Sequence, residues 1–401
     1  MEEVETAPDI FIRYDYPRLL DENRQAVAGF LRVPVETVVF VPNATTALNA
    51  VLRNFEWNAD GKDEILYFST IYGACGKTVD YVVDTRRGMV NSRPISITYP
   101  CEDDEIINLF EKAVATSKGE GKRPRLCIYD VVSSLPGLRF PFEAMTSKCK
   151  ELGVMTVIDG AQGIGMVDSR LDELDPDFWF SNCHKWLHIP RACAVLYVPV
   201  RNQHMMASTV PTSHGYVRKS LRNSTSGTGS KSAFVSNFQY TGTLDFSPYL
   251  CVKEALAWRN DVVGGEDILQ EYNINLAKTG GRRVAEILGT EVLDNKAGTA
   301  SDCAMTNVRL PIRIAKNGSN SSAAEDESVL TEDIVNDVAQ WMMDTLVRDY
   351  KTFIVVYSHG QHVYVRLSAQ VYLELQDFEW AAETLLELCA RVAKREYEGH
   401  I

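Results

Sequence analysis

Two stretches decide the fold: residues 154–165, VMTVIDGAQGIG, and residues 178–186, FWFSNCHKW. Each starts as a short apolar run and ends in polar residues able to do chemistry. Continuous apolar runs of this length suit central strands covered on both faces. Open α/β sheets bind their ligands beyond the carboxyl ends of such strands. The first run delivers Asp159 to that position. The second delivers Ser181, Asn182, His184 and, 26 positions after Asp159, Lys185.

Outward from these, the chain alternates short apolar runs with helical stretches, which predicts an α/β fold with a mostly parallel sheet. Strands are expected at 37–41, 64–69, 95–99, 126–131, 154–159, 178–181 and 192–198, with helices at 45–54, 74–85, 105–116 and 141–152. Residues 213–232 turn small and polar and read as a long loop, and 316–328 (KNGSNSSAAEDES) reads as a linker. A largely helical stretch, 250–288, leads away from the first region. Strands at 353–357 and 362–368 and a helix at 377–394 then complete a small α+β region. The expected division is a large domain over 1–284 and a small C-terminal domain over 285–401.

Composition bounds the function. The 401 residues carry a net charge of −13, so a polyanion such as nucleic acid is not an expected partner. The nine cysteines are an odd number and lack metal-ligand spacing, which predicts reduced thiols in a cytoplasmic protein and no metal site. The acidic start, MEEVETAPDI, has no apolar leader, and no apolar run is long enough to span a membrane.

The pairing of Asp159 with Lys185 points to one flat cofactor, pyridoxal 5′-phosphate (PLP). An aspartate beside the pyridine nitrogen keeps it protonated, and a lysine at the aldehyde carbon forms a Schiff base and then shuttles the α-proton. Taken singly, each residue has a plainer reading: Asp159 as a helix cap, Lys185 as a solvated charge. The glycines at 160, 163 and 165 reverse the G-x-G-x-x-G order, which weakens a nicotinamide reading. Asn43-Ala44-Thr45-Thr46-Ala47 opens a helix and would make a phosphate cradle, or simply a capped helix start. Tyr72, in Ser69-Thr70-Ile71-Tyr72-Gly73, could stack on a ring or sit in the core.

Together, NATTA (43–47), IYGA (71–74), DGAQ (159–162), HKW (184–186), TGT (241–243) and RLS (366–368) resemble the class V aminotransferase family of fold-type I PLP enzymes, nearest its isopenicillin N epimerase-like branch. The resemblance runs from about Arg13 to Glu374. It implies a seven-stranded, mostly parallel sheet, a smaller C-terminal domain and a homodimer with shared sites. It implies Lys185 as the Schiff-base lysine, Asp159 as the pyridinium partner, Gln162 at the ring hydroxyl and Tyr72 on the ring face. Ala44, Thr45, Asn182 and His184 would hold the phosphate, and Gly242 and Thr243 would reach the neighbouring subunit's phosphate. Ser134 would lie near the ring hydroxyl, and Arg366 would fork onto the carboxylate of an amino-acid substrate. Within the branch the chain is similar to fungal enzymes of secondary metabolism, those of loline alkaloid clusters among them.

Two departures qualify the expected chemistry. Members of this branch carry an Asn-His-Gly-Ser-like glycine loop ahead of the segment that Pro8–Arg13 matches, and this sequence reaches that segment almost at once. The N-terminal part is therefore expected to be shortened, with a PLP-binding scaffold lacking turnover as one consequence. Between Cys303 and Arg366 there is no cysteine, only Ser358 and His359 just before the arginine, which argues against a desulfurase-type thiol nucleophile. Transamination leads the expected reactions, with epimerisation and C–S bond cleavage as alternatives.

Overall fold

The computed structural model describes residues 2–207, 210–212, 216–218, 231–315 and 328–400. Most of the expected loop at 213–232 and nearly all of the linker at 316–328 lie outside those residues. The chain forms two compact units: Met1–Ser96 with Asp104–Val132 and Phe140–Glu266, and Ile97–Asp103 with Ser133–Arg139 and Asp267–Ile401. The residue 285 boundary falls inside the helix Glu266–Leu288.

The first unit is built on seven strands: β1 (Val38–Val41), β2 (Asp63–Phe68), β3 (Val90–Ile95), β4 (Arg123–Asp130), β5 (Met155–Asp159), β6 (Phe178–Asn182) and β7 (Ala194–Tyr197), in the order β1-β7-β6-β5-β4-β2-β3. Strands β2 to β6 pair in parallel, and β7 runs antiparallel to both β6 and β1. Strand β1 therefore points the same way as β6. The carboxyl ends of β1, β4, β5 and β6 all open on one edge of the sheet, and all five β6 residues are buried. One core beneath the sheet joins Val39, Val41, Leu126, Ile128, Val157, Phe178 and Phe180 to Ala47, Leu48 and Val51 of the helix Ala44–Asn54.

Two expected elements are corrected. The strand placed at 95–99 lies at 90–95 instead, as Val-Asn-Ser-Arg-Pro-Ile. It is an edge strand, where a proline and polar side chains are tolerated because one side lacks a partner. The helical stretch 250–288 is two helices, Val252–Asp261 and Glu266–Leu288. They part at Gly264 and Gly265, whose φ values of 100° and 111° no helix accommodates.

The second unit carries β8 (Met305–Ala315), β9 (Ser328–Thr331), β10 (Val355–His359) and β11 (His362–Ser368) in the order β10-β11-β8-β9. Val308, Leu310 and Ile312 of β8 pack with Val338 and Met342 of the helix Val335–Tyr350 and with Phe378, Leu385 and Leu388 of the helix Leu375–Ala393. Among the described residues no helix is long and apolar enough to cross a membrane. All nine cysteines are free, and every one except Cys251 is buried.

Candidate active site

Parallel register sets Asp130 directly beside Asp159 at the ends of β4 and β5. Residues opposed in this way point to the same face of the sheet, with their strands about 4.8 Å apart. Both carboxyls are buried, Asp159 at 2% exposure. Asp159 Oδ1 accepts the Ala161 N–H (2.9 Å) and Oδ2 accepts the Cys75 S–H (3.2 Å). Lys185 stands half-buried within electrostatic reach of both acids. Burial pushes the Asp159 carboxyl above the usual carboxylate range, while the Ala161 N–H, the Cys75 S–H and Lys185 pull it back. Asp130 is pushed up by burial and then by the Asp159 charge, with Lys185 opposing.

Lys185 sits in a single helical turn, Cys183–Trp186, that follows β6. That turn is tied down on several sides. His184 Nδ1 lies 2.8 Å from Cys193 O and 3.1 Å from Cys193 N, so a ligand would meet its Nε2. Burial holds the His184 ring below its ordinary pKa, which favours the neutral form. Trp186 Nε1–H donates to Gln162 Oε1 (2.8 Å), leaving the Gln162 amide protons for another acceptor. Arg259, buried in the helix Val252–Asp261, donates to Trp186 O (2.6 Å), Gly165 O (2.9 Å) and Glu266 Oε2 (2.7 Å).

At the end of β1, Asn43 caps the next helix by accepting the Thr46 N–H on its Oδ1 (2.8 Å). The Ala44 N–H is taken by Asn182 Oδ1 (2.9 Å), so these two expected phosphate ligands hold each other. The Ala47 N–H goes to Asn43 O (3.1 Å). Among the described residues, the Thr45 N–H is the donor of that first turn left without an acceptor. A free N–H at a helix start, where the helix dipole is positive, suits an anion. Tyr72 is 51% exposed, and its carbonyl accepts the N–H of Cys75 (2.8 Å) and of Gly76 (3.0 Å). Gly242 takes a φ of 127°, and the exposed Thr243 hydroxyl lies 3.4 Å from that of Tyr240.

In the second unit Arg366, on β11, donates through Nη1 to Ser134 O (2.7 Å) and Oγ (3.3 Å). Its Nε is buried without an acceptor, and no acid among the described residues pairs with it. Burial lowers the guanidinium pKa. Gly137 makes room for the arginine, since a Cβ there would meet Arg366 Cδ at 2.8 Å. Asn307 pins Gly137 from both sides, accepting its N–H (2.9 Å) and donating to its carbonyl (2.8 Å), and also accepts the Tyr357 hydroxyl (2.8 Å). Ser134, expected near a ring hydroxyl, is thus the arginine's hydrogen-bond partner.

Sequence reasoning missed Cys75, Asp130 and Arg259. Asp130 carries the same signal as Asp159, an acid closing an apolar strand (126–130, LCIYD). Cys75 and Arg259 carry none, because their contacts join segments far apart in the chain. The assembled residues fit PLP: its basic ring nitrogen, aldehyde and phosphate ask for a buried acid, a nearby lysine and N–H donors, all present at one edge of the first unit.

Comparison with known proteins agrees. The profile of the family "Aminotransferase class-V" matches residues 15–310. An L-cysteine desulfhydrase-like protein of Epichloe uncinata is 37% identical over 98% of this chain and 88% of its own length. The hercynylcysteine sulfoxide lyase of Schizosaccharomyces pombe is 31% identical over 97% and 89%. Isopenicillin N epimerase of Amycolatopsis lactamdurans is 27% identical over 76% and 74%. A solved complex of the cystine C–S lyase C-DES with cysteine persulfide shares the fold at a TM-score of 0.67 and 15% identity, over 93% of this chain and 87% of that one. The chain belongs to the class V aminotransferase family, and it is a PLP-dependent enzyme of fold type I.

Proposed function

We propose that this enzyme acts on an amino acid and breaks the bond between its β-carbon and a sulfur substituent. The observation that carries the amino-acid part is Arg366, a half-buried arginine whose Nε is buried and unsatisfied, with no acid partner among the described residues. An uncompensated buried charge of this kind is costly unless a ligand supplies the counter-charge, and a planar fork matches a carboxylate. The sulfur part is supported by relatives above 30% identity, among them two L-cysteine desulfhydrase-like proteins and a sulfoxide lyase.

When bound, PLP supplies an electron sink for the bonds at the substrate α-carbon. In this reading Lys185 holds the cofactor at its aldehyde carbon and, once its amine is released, takes the α-proton. Asp159 holds the proton at the ring nitrogen. The Thr45 N–H, with Asn182 and His184 beside it, binds the phosphate, Gln162 faces the ring hydroxyl and Tyr72 covers the ring. The two units correspond to a cofactor domain and a small domain. The working form is a homodimer in which Gly242 and Thr243 approach the partner's phosphate, and its setting is fungal secondary metabolism.

The reaction is tested by incubating the PLP-loaded protein with L-cysteine and S-substituted cysteines and analysing the products. Release of a thiol or sulfide with ammonia and a 2-oxo acid is expected. A 2-oxo acid that keeps its sulfur would mean transamination, and an epimerised substrate would mean racemase chemistry. Either would overturn the sulfur-cleaving reading, as would the absence of any product.

A further inference from the structure

The hydrogen bond between Cys75 and Asp159 has no part in the chemistry above. The thiol is fully buried in the helix Gly73–Thr85, and its S–H reaches Asp159 Oδ2 at 3.2 Å. The other carboxylate oxygen is held by the Ala161 N–H. Asp130 is the register partner of Asp159 on the neighbouring strand β4. Lys185, which follows β6, lies within electrostatic reach of this carboxyl and favours its charged form. Cys75 and Ala161 therefore each donate a hydrogen bond to Asp159, whose charge in turn raises the Asp130 carboxyl.

We propose that Cys75 is a positioning residue for Asp159: its S–H fixes the carboxylate rotamer and favours the charged form. The inference rests on the proposed pairing of Asp159 with the cofactor ring nitrogen. A hydrogen bond to a carboxylate is stronger than one between neutral groups, and burial amplifies it. The thiol stays protonated, because burial and then the Asp159 charge push its pKa up, so it remains a donor throughout the working range. Removing the donor makes Asp159 easier to protonate.

The test is PLP affinity as a function of pH, measured by titrating PLP into the protein for Cys75→Val, Cys75→Ser and Asp159→Asn, with folding checked by circular dichroism. PLP and its phosphate titrate alike in every variant, so differences in the acid limb report the protein. Cys75→Val, which keeps the shape and loses the donor, is expected to weaken binding at neutral pH by about tenfold, in line with one hydrogen bond to a charged group. Its acid limb should move to higher pH, and Cys75→Ser should restore it. A wild-type profile for Cys75→Val would overturn the inference. So would a serine variant that fails as the valine does, which would assign the effect to packing. If Asp159→Asn itself binds PLP normally at every pH, the ring-nitrogen role of Asp159 falls. If only Asp159→Asn is impaired, that role stands and the Cys75 inference alone fails.

Discussion

Arg259 is fully buried and Arg366 half-buried, in different units, and they are treated in opposite ways. Arg259 is 1% exposed, and its guanidinium is matched by Glu266, two backbone carbonyls and His188. Arg366 has two bonds to one serine, a bare Nε and no acid among the described residues. The first is the signature of a structural clamp, here closing on the backbone that carries Lys185. The second fits the proposed role of Arg366 in binding a substrate carboxylate. Burial alone does not separate structural from functional charge; the state of satisfaction does.

The sharpest way to break this contrast is truncation of each. Arg259→Ala removes the ion pair to Glu266 and the donors to the carbonyls of Gly165 and Trp186, so a loss of about 3–5 kcal/mol is expected in denaturant unfolding. A loss below about 1 kcal/mol would show that the clamp is dispensable. Arg366→Ala should instead leave unfolding nearly unchanged and keep the cofactor bound. It should weaken amino-acid binding about a hundredfold, roughly 2.7 kcal/mol, as for truncating one partner of a buried charge pair. If it released PLP while amino-acid affinity held, the two arginines would not differ as described.

Smaller effects sharpen the same comparison. Gly137→Ala places a methyl against Arg366 Cδ, and overpacking of about 1–3 kcal/mol should shift the guanidinium. Amino-acid affinity, read by titration, should fall with little change in PLP affinity. The smallest expected effect is on the apo-protein with Asp130→Asn. The folded pKa of Asp130 is raised, so its contribution is intact below the unfolded carboxyl value near ~3.9 and is lost as pH rises through the folded value. The variant should melt above wild type by about 1 kcal/mol near pH 7. That gain should vanish as pH falls towards about 4. A variant less stable than wild type at neutral pH would mean that Asp130 is paired as an anion.

Much of the first unit was readable because its central strands are continuously apolar and end in chemically distinct residues, as with Asp159 and Asn182. Strand β3 was misplaced because an edge strand need not be apolar, and VNSRPI looks like a loop from sequence. The acid at the end of β5 was found, yet its twin at the end of β4 was not, since only register puts Asp130 beside Asp159. The mutual bond between Ala44 and Asn182, 138 positions apart, narrows the expected phosphate cradle towards Thr45. Cys75 and Arg259 act through long-range contacts that composition and periodicity do not encode.

Every role assigned here depends on which lysine carries the cofactor. Reducing the PLP-loaded protein with borohydride fixes the cofactor to its lysine, and peptide mass spectrometry then locates it. The expected result is a pyridoxyl group on the peptide containing Lys185, absent from Lys185→Ala. A label on any other lysine, or no label on protein that has bound PLP, would contradict the proposed site.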